Sequence, residues 1–218
     1  MMTALIRKAA LTAVGAAFVG GALAGPATAM AAPAPNAVKA TSVSADRKAG
    51  GERELNIRYE AQPNFFYCGP AATRNALTAL DKDLSQDDLA RQMGTTEAGT
   101  DSAVDITRAL NKQTREGTYR TIEISAPRAD DAQTDKLRED VVKAVDSGRA
   151  VVANIAGTAT DTDGGTHSFE GGHYLSVVGY RDNGDTVKIA DSANPDQASY
   201  WMTTEAMADW IATRGYSA

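Results

Sequence analysis

Helical and strand patterns are segregated along this chain, with the helices first, and that order limits the fold more than any single residue does. Between Pro70 and Leu80 an alanine-rich run sets Ala72, Ala76, Leu77 and Leu80 at helical spacing, with the proline tolerated in the first turn, and it predicts a buried helix. Ser85 with Asp88 three positions on reads as an N-cap, Leu89 and Met93 give an apolar edge, and Gly94 is a stop. A third helix is expected over 102–113, where Val104, Ile106, Ala109 and Leu110 are apolar. After Gly117 the texture changes. Thr118 to Ser125 is β-rich, Thr134 to Ser147 is amphipathic and closed by Gly148, and Ala150 to Ile155 is a short apolar strand. His173 to Tyr180 and Thr186 to Asp191 flank an Asn183-Gly184 turn, a strong hairpin signal. Ser199 to Met202 is an edge strand before a last helix over 204–213, and 157–172 reads as a long glycine-rich loop. The fold class is therefore α+β, an N-terminal helical part packed on a C-terminal antiparallel sheet.

Residues 1–31 carry Arg7 and Lys8, an apolar stretch from Ala9 to about Ala24, and an Ala29-Met30-Ala31 ending. This is the pattern of a secretory signal peptide for the general export route, so the mature product is expected to be secreted, with no stable membrane association. Residues 32–51 read as a flexible leader, rich in Ala, Pro and Ser. Residues 52–218 are enough for a single domain with a proper core, expected to be a monomer. The formal charge of −6, with both signs scattered, excludes nucleic acid as a natural partner.

Cys68 is the sole cysteine. In an oxidising compartment a thiol without an internal partner is either an intermolecular link or a reactive group. It stands just before Gly69-Pro70, at the start of the first helix, where partial positive charge and unsatisfied backbone N–H groups favour a thiolate. Acyl transfer also needs a base, and only His167 and His173 qualify. His173 is favoured, because it sits where the glycine-rich segment enters a strand and is held still. If Tyr180 pairs with Thr186, Leu175 faces Asp191, and His173 becomes the diagonal neighbour of Asp191 on one face with Val177, Val187 and Ile189. A register one residue different puts Asp191 on the other face, and Asn194 is then the reserve for orienting the base. Gln62 offers an amide N–H for an oxyanion beside the Cys68 backbone N–H, and Gly69 leaves room for a carbonyl to approach.

With Gln62, Cys68-Gly69-Pro70, His173 and Asp191 in this order, the chain resembles the bacterial C39-type cysteine peptidases of the papain-like group over about 59–193. Its most specific stretches are 62–72 and 171–193. The resemblance implies a papain-like fold, a cysteine helix packed against a sheet that bears the histidine and acid, a peptide or protein substrate, and no cofactor. Tyr67 stands where many exporter-linked members have an aspartate, so their leader-peptide specificity is not transferred. Three other readings stay open: an acyl or peptidyl transferase, a non-catalytic binding or inhibitory module of the same fold, and a metal site on Cys68, His167 and His173, which lacks the paired short spacings of zinc ligands. Trp201, Trp210 and Tyr216 read as packing residues, and Asp161 to Asp163 as a solvated acidic loop.

Overall fold

The alanine run forms α1, Cys68–Thr78, and all of its residues are buried. A helix enclosed on every side needs small residues where neighbours crowd it and partners for each polar one. Asn75 and Thr78 meet that need by binding the backbone of the preceding segment. Asn75 takes the Glu60 N–H at 2.9 Å and returns an N–H to the Glu60 carbonyl at 3.0 Å, and Thr78 Oγ1 accepts from Arg58 N at 2.9 Å. Residues 55–62 are thereby strapped along α1, which carries Gln62 toward the helix start.

The structure is a computed structural model that describes residues 51–218. The signal over 1–31 and the leader up to residue 50 lie outside the described residues. Helix α2, Gln86–Met93, opens on Ser85, whose hydroxyl accepts from Asp88 N at 3.1 Å, and closes on Gly94 in the left-handed region at φ 69. Helix α3 spans Ala103–Gln113. Helix α4, Asp131–Asp146, starts earlier than its apolar pattern predicts, because Asp130 and Gln133 form a reciprocal capping box. Helix α5 is Thr204–Ile211.

Among the described residues seven strands make one antiparallel sheet: β1 Arg53–Glu54, β2 Thr121–Glu123, β3 Val151–Thr160, β4 Thr166–Arg181, β5 Thr186–Ala190, β6 Ser199–Thr203 and β7 Gly215–Ser217. Their order is β2-β7-β3-β4-β5-β6, and β1 pairs with β4 beyond the point where β3 begins. The fold is α+β as read, with helices on both faces. Leu77, Leu89, Met93, Ile106 and Leu110 from α1 to α3 meet Val152, Tyr174 and Val178 on one side. Leu137, Val141 and Val145 from α4, with Met207, Trp210 and Ile211 from α5, meet Val151, Leu175, Val177 and Ile189 on the other. Full burial of each such side chain is worth about 1.5–3 kcal/mol, so both layers clamp the sheet firmly.

The segment 157–172 is a hairpin, contrary to the loop expected. β3 and β4 stay paired through Gly157↔Phe169, Thr158↔Ser168, Ala159↔His167 and Thr160↔Thr166. Gly164 and Gly165 lie in the turn, whereas Gly157, Gly171 and Gly172 lie within the strands, where a register shift between Ile155 and Gly157 absorbs the irregularity. Asp161, expected in a solvated loop, is buried in the hairpin turn. Among the described residues no helix is long and apolar enough to cross a membrane.

Candidate active site

Helix α1 begins at Cys68 itself, with Tyr67 at the N-cap position and no side-chain cap bond. A capping Ser or Asp would consume the first backbone donors, and their absence leaves those N–H groups to the site. The Tyr67 hydroxyl points elsewhere and donates to Asp87 Oδ1 at 2.9 Å. Gly69 is required by packing as much as by any substrate: a Cβ there would stand 2.5 Å from Thr100 Oγ1 and 3.0 Å from Thr100 Cβ.

His173 lies on β4 opposite Ile155 and is buried. Its Nε2 is 2.8 Å from Asp191 Oδ1, and its other ring face lies on Phe169 with centroids 4.0 Å apart. The carboxylate makes Nε2 the donor, which leaves Nδ1 for Cys68, the thiol to which His173 is hydrogen-bonded. Asp191 is itself held at both oxygens. Oδ1 accepts from Ala193 N at 3.0 Å, and Oδ2 accepts from the Tyr200 hydroxyl at 3.0 Å. Asn194 is not the partner of His173, since its side chain caps a short turn by accepting from Asp196 N at 3.0 Å.

The register that joins His173 to Asp191 differs from the simple hairpin count. Near the turn the pairs are Arg181↔Thr186, Tyr180↔Val187 and Gly179↔Lys188, one step off the expected set. A bulge between Val177 and Gly179 then restores Val177↔Ile189 and Ser176↔Ala190, the register that the sequence count assigns to the site end.

These contacts set the charges. Burial pushes the Cys68 thiol up, but the His173 hydrogen bond and positive field, with the backbone N–H groups of Tyr174 and Gly69, outweigh it and hold the thiol below its ordinary value. Burial pushes His173 down, while its bonds to Asp191 and Cys68 raise it further, to about 9. Asp191 is likewise raised by burial, and His173, Ala193 N–H and Tyr200 bring it below the usual carboxylate range. A thiolate facing an imidazolium is the resting state these shifts favour.

Gln62 is tied to the residue after Asp191. Its backbone N–H donates to the Ser192 carbonyl at 3.0 Å, its Oε1 accepts from Ser192 Oγ at 3.0 Å, and its Nε2 donates to the Asn64 carbonyl at 2.9 Å. It stands outside the lining of the cavity of about 190 Å³ that holds Cys68, His173, Thr100, Asn154, Tyr174 and Arg214. His167 is also absent from that lining, and its Nε2 is 2.9 Å from Asp161 Oδ2. Cys68, His167 and His173 are therefore not gathered as ligands: among the described residues no three His, Cys, Asp or Glu side chains group to hold a metal.

Sequence reasoning missed Tyr200, Phe169 and Ser192, each of which touches the set directly. Tyr200 had a legible signal, for an edge strand paired with β5 must bring Tyr200 and its neighbours beside Asp191. Phe169 has none, because the glycines around it give 157–172 the pattern of a loop.

The family description Peptidase_C39 like matches residues 54–218, and the chain belongs to that family. No curated protein matches it. The peptidase domain of ComA from Streptococcus, a bifunctional ABC transporter involved in quorum sensing, aligns with a TM-score of 0.50 at 18% identity, covering 74% of this chain and 96% of that one. A protein described as a C39-like peptidase from Bacillus anthracis aligns at 0.53 and 12% identity, covering 77% of this chain and 96% of that one. Both are similar to this chain in fold.

Proposed function

We propose that this protein is a secreted cysteine peptidase that hydrolyses peptide bonds with Cys68 as nucleophile, His173 as acid and base, Asp191 as the group that orients His173, and Gln62 as an oxyanion donor. The observation that carries it is His173 held between a buried carboxylate and the only thiol, at the open start of a buried helix. The Cys68 thiolate attacks the substrate carbonyl carbon and the electron pair moves to oxygen, where the Cys68 backbone N–H and the second Gln62 Nε2 hydrogen receive it. The C–N bond then breaks as His173 gives its proton to the leaving amine, and a thioester remains. Water, deprotonated by His173, attacks the thioester and releases the acid and the thiolate.

A second cavity, about 360 Å³, adjoins the first and shares Asp101, Asn154 and Arg214 with it. The shared residues place Glu123 and Ser125 on the far side of the second cavity from Cys68, a direction in which a peptide could extend. Family membership and the signal-like stretch at 1–31, basic residues followed by an apolar core, support a peptide substrate met outside the cell. Incubating a peptide library with wild type and Cys68→Ala tests the reading. Cleavage by wild type and none by Cys68→Ala is the expected result, and equal cleavage by both refutes it.

A further inference from the structure

Behind Asp191 lies a second buried histidine–aspartate pair that the peptidase chemistry does not use. Asp161, in the turn of the β3–β4 hairpin, accepts from the backbone N–H of Asp163 at 2.9 Å and of Gly165 at 2.8 Å, and binds His167 Nε2 with its other oxygen. Room is made for that carboxylate: a Cβ on Gly165 would stand 2.5 Å from Asp161 Oδ2. The His167 ring lies on the Tyr200 ring with centroids 3.7 Å apart and planes 19° apart, and Trp210 closes the far side at 6.2 Å. The same turn is pinned to β6 by Thr162 N–H donating to the Trp201 carbonyl at 2.8 Å. Tyr200 in turn donates its hydroxyl to Asp191 Oδ2.

Burying a histidine with an aspartate costs desolvation that an apolar pair would avoid, so the arrangement calls for a geometric reason. Stacking fixes the plane of the Tyr200 ring, and the ring plane fixes where its hydroxyl points. Asp191 has Ala193 N–H and His173 on one oxygen and, among the described residues, the Tyr200 hydroxyl on the other, so loss of that hydroxyl leaves the carboxylate held at one oxygen and less fixed in its plane.

We infer that Tyr200 is a positioning residue for Asp191, and that the Asp161–His167 pair at the hairpin turn holds Tyr200 in place, making the turn part of the catalytic support. This rests on the peptidase reading. It extends the chain of contacts from Cys68 through His173, Asp191 and Tyr200 to His167 and Asp161, across β4, β5, β6 and the hairpin turn.

The test is the pH profile of Cys68 alkylation by iodoacetamide, read by mass on the intact protein, together with Tm. Wild type is expected to react well into the mildly acidic range. Tyr200→Phe keeps the stacked ring and removes only the hydroxyl, and is expected to lose about tenfold in acid-side rate while Tm stays within a few degrees. His167→Ala is expected to lose less, and the double variant no more than Tyr200→Phe alone, because His167 acts only through that hydroxyl. Should His167→Ala fail to fold, Asp161→Asn, which leaves the imidazole in place, serves as the same arm. A Tyr200→Phe profile that overlays wild type overturns the role of Tyr200 and leaves the peptidase reading standing. Additive losses in the double variant overturn the role of His167. An ordinary thiol profile in wild type overturns the peptidase reading itself and this inference with it.

Discussion

His173 Nε2 meets Asp191 Oδ1 at 2.8 Å because β4 carries one extra residue, at Val178, between Val177 and Gly179. Without that bulge the register near the turn would continue, Ser176 would stand where Leu175 leads to Asp191, and the carboxylate would face away from the imidazole. Asp191→Asn keeps the shape and removes the charge. The His173 pKa is expected to fall from about 9 toward its ordinary 6.5, and turnover of a peptide substrate to fall by about 10²–10⁴. The sign for stability follows from the same shifts. A histidine raised in the folded state stabilises it fully below 6.5 and loses that contribution as pH rises through about 9, whereas the lowered Asp191 contributes above the unfolded carboxylate pKa and loses it as pH falls. Over the same window the lowered Cys68 thiol works in the opposite sense, releasing a proton where His173 holds one, so the His173 slope is read in Cys68→Ala, where Tm should fall more steeply from pH 6 to 9 than in the Cys68→Ala, Asp191→Asn double variant.

The lowered thiol and raised imidazole give Cys68 a thiolate over a range where an ordinary thiol is protonated. Wild type is expected to alkylate faster below pH 7 than the urea-unfolded chain does at the same pH. His173→Ala should abolish the difference, and mass spectrometry of the labelled protein reads it directly.

Gln62 is fixed by three bonds, two of them to Ser192. Gln62→Ala is expected to lower kcat by about 10²–10³ with little change in KM, the signature of a contact made only to the developing oxyanion. Ser192→Ala should cost much less, since the Gln62 N–H still meets the Ser192 carbonyl. Steady-state kinetics on a cleaved peptide separate the two.

Gly69→Ala sets two effects against each other. Alanine favours a helix by about 1 kcal/mol over glycine. The added methyl collides with Thr100, which cannot retreat, because its Oγ1 is bonded to Thr95 Oγ1 at 2.7 Å and its carbonyl accepts from Tyr174 at 3.2 Å. Overpacking of this kind costs about 1–3 kcal/mol, so the collision wins. Thermal unfolding should show a drop of roughly 2–6 °C, recovered in part by Thr100→Gly.

The helices were legible because their signals are local: Ser85, Asp88 and Gly94 mark α2 by themselves, and the alanine run marks α1. His173 and Asp191 share one face through two departures from the plain hairpin count that cancel, a turn register one step off and the bulge at Val178, so strand alternation places the pair without containing the reason. The long β3–β4 hairpin was not legible, since glycines at 157, 164, 165, 171 and 172 read as a loop when only long-range pairing tells a bulge from a break. β1 and β7 span two and three residues, too few to carry any alternation. Tyr200 is half legible: pairing of its strand with β5 brings it near Asp191, whereas the ring that stacks on it, His167, arrives only with the β3–β4 hairpin.

β7 also joins parts of the chain that lie far apart in sequence. Strand β2 pairs with β7 alone, and β7 bridges it to β3 through Val152↔Ser217 and Ala153↔Tyr216. Thr121 thus waits for Ser217 before it has a neighbour, a closure that local contacts cannot hasten. Truncation ahead of Gly215 would strand one flank of the protein, leaving a raw β3 border open to pairing with other chains.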